Sequence, residues 1–119
     1  MLDENAVVKG LNIPDAMKRL MNNAKLYTRL MQKFLEGEEL NVLKRALESR
    51  NVQASVTAAH TVKGTAANLS AETIHLLAMK LEMSLKSAEV VDVQHLELLT
   101  DIESEYVALK GACAGYLEG

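Results

Sequence analysis

Residues 52–69 read VQASVTAAHTVKGTAANL, and the spacing of their apolar members predicts a helix. Val52, Val56, Ala59, Val62, Ala66 and Leu69 recur at steps of three and four, which gathers them into one stripe on a 3.6-residue period. His60 lies beside that stripe, so its ring is expected at the surface. Lys63 and Gly64 follow at i+3 and i+4 and share its face. Long side chains on a helix lean toward the N-terminus, so the patch above His60 would ordinarily be covered by the residue one turn later. That residue is Gly64, which covers nothing. Glycine costs about 1 kcal/mol relative to alanine in a helix interior, and steric access to the His60 imidazole is a reason for its presence.

Outward from this segment, apolar residues keep helical spacing almost throughout, and no stretch alternates long enough to read as a strand. Residues 1–12 are weakly patterned and read as a lead or linker, followed by a helical domain over 13–119. Pro14 suits a first helical turn, where its missing N–H is not needed. Met17, Leu20, Ala24, Tyr27, Met31 and Phe34 form a run that Asn22 and Asn23 divide into a short helix and a longer one ending at Gly37. Leu40, Leu43, Ala46 and Leu47 mark a further helix. Ser70 is placed to cap the helix whose inward seam is Ile74, Leu77, Leu81, Leu85 and Ala88. After a link around Val90, Val91 and Val93, the last helix carries Leu96, Leu99, Ile102, Tyr106, Leu109, Cys113 and Tyr116 on one stripe. Short connections make neighbouring helices antiparallel, and amphipathic helices bury their stripes only by sharing a core. The expected fold is all-α, an antiparallel up-down four-helix bundle with additional short N-terminal helices.

Composition agrees with helices and narrows the function. The 119 residues are 49% hydrophobic with a single proline, and their net charge of -3 supplies no basic field for nucleic acid. No apolar run approaches the roughly 20 residues of a membrane span, so no membrane partner is expected and the cytoplasm is the expected location. Cys113 is the only cysteine, which excludes an internal disulfide and reads as packing.

Small or short polar residues surround His60. Gln53 and Thr57 extend its face in one direction and Ala67 and Asn68 in the other, which makes a shallow platform for another protein. A small-molecule pocket would need walls that these residues do not provide. If the chain turns back near residues 68–71, an antiparallel neighbour brings residue 82 level with residue 60, each about ten residues or roughly 15 Å of helix rise from the turn. A Glu82 carboxylate accepting the Nδ1 proton of His60 would leave Nε2 as the outward nucleophile. Phosphoryl transfer fits this set, with Lys63 as one compensating charge. No acidic cluster reads as a magnesium cage and no glycine-rich loop could cradle a nucleotide, so no cofactor or metal is expected on this chain. The missing half of the active site, an aspartate with its magnesium, is expected from the partner.

These residues resemble a known family. AHTVKGTAANLS at 59–70, followed twelve residues later by Leu81-Glu82, is similar to the histidine-containing phosphotransfer (HPt) domain of bacterial multistep phosphorelays, and LYTRLMQKFLEG at 26–37 looks like that family's preceding helix. The resemblance implies that His60 accepts a phosphoryl group at Nε2, Lys63 stabilises the phosphate, Gly64 gives access and Glu82 hydrogen-bonds the imidazole. It further implies transfer between aspartates of response-regulator receiver domains, one of them attached to a hybrid sensor histidine kinase. A monomer without kinase, ATPase or phosphatase activity of its own is expected. The sequence departs from the family at Ser70, where glycine is usual. The phosphate-accepting domain of chemotaxis kinases is a related module, but this chain contains no kinase domain.

Two readings from other classes stand beside this one. A helical scaffold or adaptor bundle would need no phosphoryl chemistry. A di-iron oxidase would use Glu-x-x-His pairs, of which Glu72 with His75 is one and Asp92 with His95 a near miss, although their neighbours Ile74 and Leu96 claim the inward direction. His75 and His95 are otherwise expected at the surface.

Overall fold

The computed structural model describes residues 7–114. The expectations for residues 1–6 of the lead and for Tyr116 fall outside that range. Six helices follow in order: α1 (Ile13–Arg19), α2 (Ala24–Leu35), α3 (Glu38–Glu48), α4 (Val52–Asn68), α5 (Glu72–Lys86) and α6 (Val93–Cys113). The last four form the bundle. α4 packs on both α3 and α5, α5 on α6, and α6 closes the ring against α3, while α2 lies against α6.

Local chemistry sets the helix limits. Asn12, Asn23 and Asn51 each accept a backbone N–H of the first turn of α1, α2 and α4, and Pro14 occupies the first turn of α1. Met21 and Asn22 take left-handed backbone conformations, which breaks the apolar run that Ala24 then resumes. Gly37, with φ of 83°, makes the corner between α2 and α3 and exposes no side chain to strain. Most members of the predicted stripes are buried, while Leu20, Ala24, Val52, Val56, Leu77 and Leu96 are half-buried and Ala88 falls beyond the end of α5. Leu40, Leu43, Ala46 and Leu47 of α3, Ala59, Val62 and Ala66 of α4, Ile74, Leu81 and Leu85 of α5, and Leu99, Ile102, Tyr106, Leu109 and Cys113 of α6 all enter the core. The rings of Phe34 and Tyr106 meet there at 4.8 Å.

Three expectations are corrected. The second half of the presumed lead is packed: Val8 and Leu11 are buried, and Leu11 N–H donates to the Val8 carbonyl across a tight turn. Gly10 holds that turn at φ of 83°, where an added Cβ would stand 2.7 Å from both Glu105 Oε1 and Thr73 Oγ1. Gly10→Ala is therefore expected to cost about 1–2 kcal/mol for the left-handed backbone alone, measured by urea denaturation.

Ser70 does not cap α5; Ala71 occupies that place without a side-chain bond. Ser70 instead adopts a left-handed φ of 54° after α4, with its N–H on the Ala67 carbonyl and the Ala71 N–H on the Ala66 carbonyl. This is the helix-ending motif that favours glycine. The serine offsets its backbone strain through its hydroxyl, which donates to Asp15 Oδ2 at 2.6 Å, and its carbonyl accepts the Asn12 N–H at 2.9 Å. α1 is thereby tied to the tip of the α4–α5 hairpin. That bond, followed by the one from Arg19, holds the Asp15 carboxyl below its usual range.

His95 is fully buried, not at the surface. It stands at the third position of α6, where its Nδ1 accepts the Asp92 N–H at 2.9 Å and its Nε2 meets Ser84 Oγ at 3.0 Å. Because Nδ1 accepts, Nε2 carries the proton and donates to Ser84. A histidine fills the place that glutamate or glutamine usually takes in a capping box.

Candidate functional site

His60 stands in the middle of α4 with its side chain 65% exposed. α5 runs antiparallel alongside, as the register shows: His60 meets Glu82, whereas the Lys63 carbonyl, further along α4, meets His75 Nδ1 at 3.3 Å, earlier on α5. The turn at residues 69–71 and the fixed rise per residue bring Glu82 level with His60. Leu81 and Leu85 point into the core on either side of it, so the Glu82 side chain is only 4% exposed.

Three groups converge on this carboxylate. His60 Nδ1 lies 3.0 Å from Oε2, Lys63 Nζ 2.7 Å from Oε1, and Lys86 Nζ 3.2 Å from Oε2. The Lys63 hydrogen bond, reinforced by His60 and Lys86, outweighs the opposing effect of burial and lowers the Glu82 pKa from 4.5 to about 2. Glu82 is thus an anion at neutral pH and can only accept, so Nδ1 of His60 must be the protonated nitrogen. In the neutral ring Nε2 then carries a free lone pair.

Since its folded pKa is depressed, Glu82 adds stability that is complete above about pH 4.5 and fades as pH falls toward about 2. Denaturation followed from pH 6 to pH 2 is expected to show a weaker loss of stability in Glu82→Gln than in the wild type. Parallel curves would refute the assignment.

Gly64 is exposed, and a Cβ built on it meets nothing within 4 Å. No close helix crossing requires this glycine. Gln53, Thr57 and Asn68 are exposed and Ala67 is half-buried, on the same helix as His60. Thr57 Oγ1 donates to the Gln53 carbonyl and Thr61 Oγ1 to the Thr57 carbonyl, so both hydroxyl protons are used within α4. Val42, Ala54, Thr57, Ala58, Thr61 and Glu39 line a shallow groove of about 370 Å³ between α3 and α4. His60 is not among its lining residues.

The structure therefore brings His60, Lys63 and Glu82 together, with Gly64 open beside them. Lys63 differs in one respect from the expectation: its ammonium rests on Glu82. Lys86 escaped the sequence reading, although its spacing of four from Glu82 is that of a helical ion pair. The Asp92–His95 pair of the oxidase reading is committed to the α6 capping box. Glu72 is exposed and His75 half-buried. Among the described residues no three of His, Cys, Asp and Glu gather in a way that could hold a metal ion. No described helix is long and apolar enough to cross a membrane.

Fold and site together define a helical bundle that presents an exposed histidine, His60, paired with a buried carboxylate. The model of the Hpt domain family matches residues 29–112, and the chain belongs to that family. Its general role is histidine phosphotransfer within a phosphorelay. Among solved structures, the HPt domain of a sensor hybrid histidine kinase from Shewanella is similar with a TM-score of 0.62 and 18% identity, covering 87% of this chain and 95% of that one. At that identity the likeness bears on the fold. No curated protein matches the chain.

Proposed function

We propose that His60 is the phosphoryl acceptor, taking the group from a receiver-domain aspartate and passing it to a second receiver domain. The observation that carries this reading is the 3.0 Å contact between His60 Nδ1 and the buried Glu82 carboxylate on a side chain 65% exposed, from which the Nδ1–H tautomer with a free Nε2 lone pair follows. In the forward step Nε2 attacks phosphorus in line, the N–P bond forms, and the P–O bond breaks with its electron pair going to the aspartate carboxylate. The positive charge that develops on the ring stays opposite the Glu82 anion. Transfer onward reverses the same events.

Lys63 compensates charge on the phosphoryl oxygens. Gly64 leaves room for the incoming domain, and Gln53, Thr57, Ala67 and Asn68 form the platform it meets. The magnesium belongs to the receiver, whose aspartate completes the site. A single chain suffices, because α4 and α5 of one molecule supply every residue, and a hybrid sensor histidine kinase is the natural source of the first receiver. Kinase or ATPase chemistry has no place in this arrangement.

Incubation with receiver domains charged by acetyl phosphate tests the proposal. Acid-labile, alkali-stable label on the chain is expected. An adaptor bundle would take no label from any receiver.

A further inference from the structure

We propose that Lys86 is a positioning residue for transfer at His60, holding the Glu82 carboxylate while Lys63 turns from it to the phosphoryl group. The inference rests on the reading of His60 as the acceptor and adds a residue to it. Its basis is how the two carboxylate oxygens are shared. Among the described residues Lys63 alone occupies Oε1, at 2.7 Å, whereas Oε2 is shared by His60 Nδ1 at 3.0 Å and Lys86 Nζ at 3.2 Å. One cation comes from each helix.

A phosphoryl group on Nε2 brings a charge of roughly -1.5 to -2 beside the ring. Lys63 shares the helix face of His60 and is the cation placed to meet it, but in the resting site it is bound to Glu82. Its departure strips Oε1 of its partner. A carboxylate only 4% exposed, left with the imidazole alone and facing a second anion across that ring, would hold the lysine back. Lys86 relieves this competition because it grips the other oxygen and need not move when Lys63 leaves. Its side chain is 62% exposed, so the ammonium reaches Oε2 from the solvent side with little desolvation of its own. The bonds that form and break are the N–P bond at His60 and the P–O bond of the donor.

Transfer from an acetyl phosphate-charged receiver measures the effect, with Lys86→Met and Lys86→Arg placed in the wild-type and Lys63→Met backgrounds. Because an exposed ion pair is worth at most about 1 kcal/mol, Lys86→Met is expected to slow transfer about three- to fivefold, with Lys86→Arg restoring it. In the Lys63→Met background there is no lysine to release, and the loss should shrink below about twofold. Nitrogen-15 spectra of the His60 ring should show the Nδ1–H tautomer retained in Lys86→Met. Wild-type rates in Lys86→Met, or an equal loss in both backgrounds, would overturn the proposal while His60 remains the acceptor. Absence of label on the wild-type chain would instead overturn the acceptor reading, and this inference with it.

Discussion

His60→Gln is expected to abolish acid-labile labelling by charged receiver domains while leaving helicity unchanged and the free energy of unfolding within about 0.5 kcal/mol of the wild type. The separation of the two effects follows from the burial pattern. Among the described residues the ring's hydrogen bond is made through Nδ1, and a side chain 65% exposed stands outside the buried core. A glutamine amide keeps a donor for Glu82, and the two lysines still balance its charge. What glutamine lacks is a nucleophilic nitrogen, since its amide lone pair is delocalised. Labelling comparable to the wild type would move the acceptor elsewhere, and His75 would be the histidine to examine. A large fall in stability would show that the ring supports the fold.

Gly64 gives the second large effect, in which stability and function move in opposite directions. An added Cβ meets nothing within 4 Å and the position lies well inside α4, so Gly64→Ala is expected to stabilise by about 1 kcal/mol through helix propensity. Gly64→Gln places a long side chain over the approach to Nε2. With the same backbone gain it is expected to slow transfer about a hundredfold, because in-line attack tolerates little displacement of the reacting atoms. Thermal melts paired with transfer kinetics decide the matter. Loss of stability in Gly64→Ala would point to a hidden packing role, and undiminished transfer in Gly64→Gln would mean that donors approach from another direction.

The parts legible in the sequence were those governed by period and reach. The stripe of α6 from Leu99 to Cys113 and that of α4 needed only helical spacing, and Gly37 marked a corner that other residues take with strain. The level of Glu82 against His60 followed from one tight turn and a fixed rise per residue. Side-chain choices made in three dimensions were not legible. Lys63 on Glu82 instead of solvent is a rotamer decision, and Lys86 joins them only because Glu82 sits at the edge of the core. His95 misled for a chemical reason: a polar residue at a helix start reads as solvated, yet an imidazole can accept the Asp92 N–H and still donate to Ser84. Val8 and Leu11 flank a turn too short to show any period, so their burial left no pattern to read. Ser70 looked like a cap because serine so often is one, whereas its hydroxyl had a closer partner in Asp15.

The two threonine hydroxyls folded back onto α4 bear on how briefly a visitor stays. With both hydroxyl protons held inside the helix, Thr57 and Thr61 offer a visitor no donor, and their methyl groups attract by area and demand no angular match. A protein that must receive cargo from one domain and surrender it to another gains from such undemanding footing. On the proposed relay, differently shaped receivers rest there in turn, and neither threonine donates a hydrogen bond that would delay their exit.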